Sequence, residues 1–105
     1  MNPNYTDFST LDSTTQHTVE ECSELILEAS KLRRFGPNSY HPDDPDQTQN
    51  ILRLADEATD LMHCLYMLGS HLAEQLGTDN LSRLQAMAKR QGKYHALHML
   101  MPEKF

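Results

Sequence analysis

The apolar pattern that most constrains this chain has the spacing of an α-helix and continues for about seven turns. It stops at Gly77, a residue type that commonly follows the last turn of a helix. Its members are Ile51, Leu54, Ala58, Leu61, Leu65, Leu68, Leu72 and Leu76. No segment shows the alternation with a period of two that a half-buried strand requires. The sequence therefore predicts an all-α fold.

A second long helix should precede this one, from about Ser13 to Phe35. Ser13 and Gln16 have the spacing of a capping box, and Gly36 followed by proline should end the helix. Its apolar positions are Val19, Cys22, Leu25, Ile26, Ala29 and Leu32. Residues 36–46 are rich in proline and aspartate and should form the loop of an antiparallel helical hairpin.

The rest of the chain predicts a third helix and an N-terminal arm. Asp79 or Asn80 should cap the third helix, which continues towards Leu97 through Gly92, a residue that weakens it. Residues 1–12 form the arm. A chain of 105 residues is long enough for one small domain, 1–105.

Charge and composition exclude several classes of partner. The chain carries 15 Asp+Glu against 9 Lys+Arg and has no basic cluster that could follow the backbone of polymeric DNA or RNA. No apolar run approaches the ~20 residues that a membrane-spanning helix needs, and residues 1–12 lack a signal-peptide pattern. We therefore expect a cytoplasmic protein without membrane contact. Cys22 and Cys64 lie among apolar neighbours and should be unpaired thiols.

Two pairs of acids occupy the same register on the two long helices. Relative to Leu25, Glu21 and Glu24 lie at about -40° and -100° around the helix axis. Relative to Leu61, Glu57 and Asp60 lie at the same two angles, about -40° and -100°. In an antiparallel hairpin both pairs also lie at a similar distance from the loop, so the four carboxylates can converge.

Four converging carboxylates favour a hard divalent cation. Without one they would raise one another's pKa values, whereas Mg²⁺ or Mn²⁺ would neutralise them. The alternative is a pair of solvated acidic faces, which is the usual role of acids on helices. Glu28 and Asp56 are expected to be surface acids of this kind. Glu20 points further outwards, towards either solvent or a second metal.

The acidic motifs resemble those of a known family. Glu20-Glu21-Cys22-Ser23-Glu24, followed by Glu57-Ala58-Thr59-Asp60, is similar to the signature of the MazG-like all-α nucleoside triphosphate pyrophosphohydrolases. The stretch from Val19 to Leu68 is similar to short, phage-associated members of that group. It includes Arg34-Phe35-Gly36, Asn50 and Leu54, whereas Thr59 replaces the usual glycine of the second motif.

The resemblance implies a function and a set of site residues. It implies Mg²⁺-dependent cleavage of a nucleotide to a monophosphate and pyrophosphate, in a helical bundle built from more than one chain. The metal ligands carried over are Glu21, Glu24, Glu57 and Asp60. A cation lowers the pKa of water, which would attack the α-phosphorus, and Glu20 and Glu24 are both candidates for accepting the proton.

Several polar side chains are candidates for holding the substrate. Lys31 and Arg53 lie on the loop side of the acids and suit phosphate oxygens, although they could equally form helix salt bridges with Glu28 and Glu57. Asn50 could bind a base or sugar, or simply begin its helix. The remaining candidates are Arg34, Lys89 and Lys93. The two lysines form a basic patch with Arg90, and a role in surface solubility fits each residue of the patch equally well.

Two other functions are consistent with parts of the sequence. Asp60 and His63 have the spacing of ligands in di-iron bundles, but the first helix supplies no matching histidine. A non-enzymatic helical adaptor is the stronger alternative. The two long helices carry more apolar surface than one hairpin can cover, and the surplus consists of Leu27, Phe35, Cys64 and Met67. This surplus predicts either a protein partner or a homodimeric or homotetrameric bundle.

Overall fold

The computed structural model describes residues 7–104, which form four α-helices and a short 3-10 helix. The α-helices are α1 (Leu11–Phe35), α2 (Asn50–Gln75), α3 (Thr78–Arg90) and α4 (Tyr94–Leu100), and the 3-10 helix spans Pro102–Lys104. No strand occurs within residues 7–104, so the all-α prediction is confirmed for this range. None of these helices has both the length and the apolar character that crossing a bilayer requires.

The start of α1 differs from the predicted capping box. The helix begins at Leu11, and the backbone N–H of Ser13 donates to Thr10 Oγ1 over 3.0 Å. In return, the backbone N–H of Thr10 donates to Ser13 Oγ over 3.3 Å. Ser13 is therefore the returning partner of a cap formed by Thr10, and the predicted Ser13–Gln16 box was wrong by about one turn. Residues 1–6 of the predicted arm lie outside the described residues.

The loop between α1 and α2 is longer than predicted and covers residues 36–49. α1 ends at Phe35 as predicted, because Gly36 adopts a φ of 93° that only glycine accepts easily. The Asn50 side chain donates to the Gly36 carbonyl over 3.1 Å, and the backbone N–H of Ile51 donates to the carbonyl of Pro37 over 3.0 Å. These bonds place the start of α2 beside the end of α1.

The predicted third helix is interrupted at Gly92 and forms two helices, α3 and α4. The N–H of Lys93 donates to the carbonyl of Ala88 over 2.9 Å, and that of Gly92 to the carbonyl of Lys89 over 3.2 Å. With Gly92 at a φ of 69°, this is a Schellman motif, so Gly92 ends α3 instead of weakening it. The predicted caps Asp79 and Asn80 were also wrong, because α3 begins at Thr78.

The chain divides into two compact units. Residues 16–64 form the hairpin unit, in which α1 and α2 run in opposite directions. Residues 7–15 and 65–104 form the terminal unit. Its core contains Ala73, Ala88, Leu97 and Met101. Gly69 of α2 lies against the backbone of Leu100, where a larger side chain would collide with the Leu100 carbonyl oxygen.

Burial on α1 departs from the predicted apolar stripe. Val19 and Ile26 are 60% and 66% exposed, whereas the buried residues of this helix are polar. They are Thr14, His17, Thr18 and Glu21. Cys64 is fully buried, which confirms its prediction as a buried thiol and corrects its place among the surplus apolar side chains. α1 therefore directs Glu21 inwards and leaves several large apolar side chains outside.

Candidate functional site

Three of the four predicted metal ligands form one cluster in the hairpin unit. Glu21 of α1, with Glu57 and Asp60 of α2, each contribute a carboxylate oxygen, and these oxygens lie within 4.8 Å of one another. Glu21 is 0% exposed, and the other two residues are half-buried. The shared register of the two acidic pairs therefore brings these carboxylates together across the hairpin.

The fourth predicted ligand, Glu24, lies beside this cluster. Its side chain is half-buried, and its negative charge helps to raise the pKa values of Glu21 and Glu57. Its oxygens do not belong to the group that lies within 4.8 Å. Glu24 is therefore an electrostatic neighbour of the three clustered acids.

Burial and mutual repulsion favour protonation within the cluster. Burial, followed by hydrogen bonds with Glu21 and Glu24 and by their charges, raises the pKa of Glu57 to about 8. Burial also raises the pKa of Glu21, with the charges of Glu24 and Asp60 adding to it and a hydrogen bond with Glu57 opposing it. The raised pKa of Glu57 favours a proton on its carboxyl group near neutral pH, which relieves part of the repulsion between Glu57 and Glu21.

The clustered oxygens meet the chemical requirements of a divalent cation site. Both oxygens of Glu21 and Oε2 of Glu57 are buried, and no donor group is hydrogen-bonded to them. A hydrogen bond at these oxygens can therefore only join two carboxyl groups through a proton. Burying a charged carboxylate without compensation costs several kcal/mol, a large part of the roughly 5–15 kcal/mol that stabilise a whole domain. A proton satisfies one of these oxygens, whereas a hard cation such as Mg²⁺ or Mn²⁺ would satisfy several at once.

Cys64 lies close to these acids but remains a thiol. Cys22 and Cys64 are both free, as predicted, and Cys64 is buried. Burial, and then the charges of Glu21 and Asp60, raise the pKa of Cys64 to about 11. Because a thiol must be deprotonated to bind metal strongly, Cys64 adds no metal ligand to the carboxylate oxygens at neutral pH.

Two other acids of α1 differ in how far they are exposed. Glu20 has a side chain that is 43% exposed, with Oε2 lying 3.9 Å from His17 Nδ1. Glu28 was predicted to be a surface acid, but its side chain is only 13% exposed and its Oε2 has no hydrogen-bond partner. The position of Glu28 on the inward face of α1 explains this difference. Asp56, the other predicted surface acid, is exposed.

A cavity of about 710 Å³ lies at the loop end of the hairpin unit. Three of the predicted substrate-binding residues, Lys31, Asn50 and Arg53, line this cavity. Phe35 and Tyr40 contribute aromatic surface, and Asp43 and Asp44 of the loop contribute carboxylates. The volume is within the range of about 300–1,000 Å³ that is typical of ligand pockets.

Each of these three predicted residues has a partner within the hairpin unit. Lys31 Nζ lies 3.4 Å from Glu28 Oε1, which is the helix salt bridge considered as its alternative role. Arg53 pairs with Asp44 over 2.7 Å, so the helix salt bridge to Glu57 that was its alternative role was wrong. Asn50 is buried and begins α2 through its bond to Gly36.

The other predicted cations lie elsewhere. Arg34 is exposed, with its guanidinium 5.4 Å from the centre of the Phe35 ring. Lys89 and Lys93 belong to the terminal unit. There, Lys89 Nζ lies 5.0 Å from the centre of the Tyr94 ring, and Lys93 lines a groove beside α3 and α4.

Asp44 was missed as a residue of the cavity. Its Oδ1 accepts the backbone N–H of Asp46 over 3.0 Å, and its Oδ2 accepts that of Thr48 over 2.8 Å. The sequence signal was an aspartate followed by proline in a loop, which is typical of a side chain that bonds to the backbone just after it. Its pairing with Arg53 depends on tertiary structure and had no comparable signal.

Thr59 occupies the position at which the resembling family usually has glycine. Its side chain is exposed, and Oγ1 donates to the carbonyl of Ala55 over 2.9 Å within α2.

Comparison with known protein families, with curated proteins and with solved structures found no match to this chain.

Proposed function

We propose that this protein is a divalent-metal-dependent nucleotide pyrophosphohydrolase of the MazG-like type, which converts a nucleoside triphosphate or related nucleotide to a monophosphate and pyrophosphate. The observation that carries the proposal is the fully buried Glu21, whose carboxylate oxygens receive no hydrogen bond from a donor group and which lies beside Glu57 and Asp60. Buried acids that repel one another are costly unless they serve a bound ion or a reaction.

The three clustered acids would hold the cation, and Glu24 or Glu20 would accept the proton of the attacking water. Glu21, Glu57 and Asp60 supply oxygen ligands, and Glu24 contributes negative charge beside them. A bound Mg²⁺ or Mn²⁺ would neutralise phosphate oxygens and lower the pKa of the attacking water. Glu24 is half-buried beside the cluster and Glu20 is more exposed, which favours Glu24 as the proton acceptor.

Lys31 and Arg53 would hold the phosphates of the leaving group. Both cations line the cavity, and their present ion pairs are partly exposed to solvent. Such pairs are typically worth about 0–1 kcal/mol, so a polyphosphate with several charges can replace them. The aromatic surface of Phe35 and Tyr40 would accommodate a less polar part of the substrate.

The proposal includes assembly into a homodimer or homotetramer in the cytoplasm. Large apolar side chains on the outside of α1 and α2 support assembly, among them Leu27 at 54% and Met62 at 63% exposure. The same side chains support the alternative, a helical adaptor that binds another protein. The buried acids favour the enzyme, because an adaptor has no use for a costly cluster of carboxylates.

Release of pyrophosphate from a panel of nucleotides tests the proposal directly. Activity should require Mg²⁺ or Mn²⁺ and disappear in EDTA. Asp60→Asn should lower turnover by two or more orders of magnitude, roughly 3 kcal/mol or more of transition-state stabilisation, because it removes a charged ligand. Asp56→Asn, an exposed neighbour on α2, is the matched control and should retain activity. Near-normal turnover of Asp60→Asn would refute the site.

A further inference from the structure

In the cavity of the hairpin unit, the Arg53 side chain of α2 is paired with an acid of the 36–49 loop. Arg53 Nη2 donates to Asp44 Oδ2 over 2.7 Å. The side chain of Asp44 is only 12% exposed, whereas that of the adjacent Asp43, which lines the same cavity, is 91% exposed. One of two neighbouring loop acids is therefore held at the guanidinium while the other extends into solvent.

The surroundings of Asp44 are those of an anion site. Its carboxylate accepts the backbone N–H groups of Thr48 and Asp46 as well as the guanidinium N–H of Arg53. These bonds, those from the two backbone groups first, lower the pKa of Asp44 to about 2. The group is thus negatively charged at any pH at which the protein works.

We propose that Asp44 occupies the position of a ligand phosphate at Arg53, and that a phosphate group entering the cavity takes the guanidinium in exchange for Asp44. The inference rests on the proposed function for the identity of the ligand, a nucleotide or its pyrophosphate product. It adds a residue, Asp44, that regulates access of phosphate to the site.

The exchange requires little change in the loop. When Asp44 releases Arg53, it keeps its bonds to the backbone of Asp46 and Thr48, so the turn in the loop persists. The pair that is lost is partly exposed, since the Arg53 side chain is 37% exposed. In return, a phosphate group offers the guanidinium two parallel charge-assisted hydrogen bonds. Lys31, on the wall of the same cavity, adds a second positive charge.

The proposal predicts the sign of a substitution. If Asp44 only positioned Arg53 for the ligand, its replacement by asparagine would weaken phosphate binding. If Asp44 competes with the ligand, the same replacement releases the guanidinium, removes a repelling charge and strengthens binding. The direction of change therefore separates competition from positioning.

The test is calorimetric titration with inorganic pyrophosphate in EDTA, so that neither divalent metal nor turnover contributes. Asp44→Asn should bind about five-fold tighter than the unmodified protein, and Arg53→Gln about ten-fold weaker. Asp43→Asn removes the same charge from the same cavity without releasing Arg53, and its affinity should change less than about two-fold.

Several results would overturn the inference. They are equal or weaker binding by Asp44→Asn, equally tighter binding by Asp43→Asn, unchanged binding by Arg53→Gln, or no measurable binding by any variant. If circular dichroism shows that Asp44→Asn is unfolded, Asp44→Ser keeps an acceptor for the Thr48 N–H and is assessed by the same criteria. A chain that passes this test but releases no pyrophosphate from nucleotides with Mg²⁺ would keep the anion exchange and lose the hydrolase.

Discussion

Glu21 of α1 and Glu57 of α2 have carboxyl oxygens within 4.8 Å of each other, and burial raises the pKa values of both groups. Their separation is short enough for direct competition between a shared proton and a bound cation. Because both carboxyl groups belong to the hairpin unit, the protonation and the metal binding of this unit should be linked.

The stability of the metal-free protein should fall as the pH rises from about 4.5 to about 8. Glu57 has an ordinary pKa of 4.5 in the unfolded chain and a pKa of about 8 in the folded protein. The folded state therefore binds more protons in this window, so this contribution is complete below 4.5 and is lost as the pH rises through 8. Melting temperatures measured in EDTA should show the decline, and Glu57→Gln should show a shallower one. A melting temperature of the unmodified protein that rises through this window would contradict the assignment.

Millimolar Mg²⁺ should raise the melting temperature, because it binds the native cluster and not the unfolded chain. The increase should be larger above pH 8 than near pH 6, since the cation and the proton compete for the same oxygens. Scanning calorimetry with and without Mg²⁺ measures both effects. Asp56→Asn should retain them, whereas Asp60→Asn should lose most of the stabilisation. An equal response in these two variants would show that the cation binds elsewhere.

The protein should be larger than a 12.0 kDa monomer in solution. Ile26 on α1 is 66% exposed, and Leu52 and Tyr66 on α2 are 62% and 58% exposed, which is unfavourable for side chains of this size in an isolated chain. Light scattering at micromolar concentration measures the mass. Ile26→Glu should lower it, while Asn80→Glu, at an exposed position of α3, should leave it unchanged. A monomeric unmodified protein would contradict the bundle.

No more than one thiol per folded chain should react with a water-soluble thiol reagent near pH 8. Cys64 is fully buried and its pKa is raised to about 11. The reagent therefore cannot reach its sulfur atom, and the reactive thiolate does not form near pH 8. Cys22 is half-buried and supplies the reactive group. Colorimetric titration should count a second thiol only after denaturation, and Cys22→Ser should show none before it. Rapid labelling of Cys64 in the native Cys22→Ser variant would show that this region opens.

Local rules determined the helices and the register of the acids. The end of α1 at Phe35 follows from Gly36, and the matching positions of Glu21 and Glu57 follow from the angle of about 100° between successive helical residues. Such features depend on neighbours within a few residues along the chain. They can therefore be derived without knowing how the chain folds back on itself.

The tertiary structure decided which polar groups meet and which faces are buried. The closeness of Glu21 and Glu57 could be predicted from their register. The full burial of Glu21 could not, because it depends on the packing of α1 and α2. Arg53 pairs with Asp44 and not with Glu57 because of the path of the 36–49 loop. The loop sequence has no periodic pattern from which this path could be predicted. The sequence alone determined the helical segments and the acidic motif, because these depend on short-range geometry. Only the fold determined the partner of Arg53, because Asp44 lies in the 36–49 loop and is brought to the guanidinium by the path of that loop.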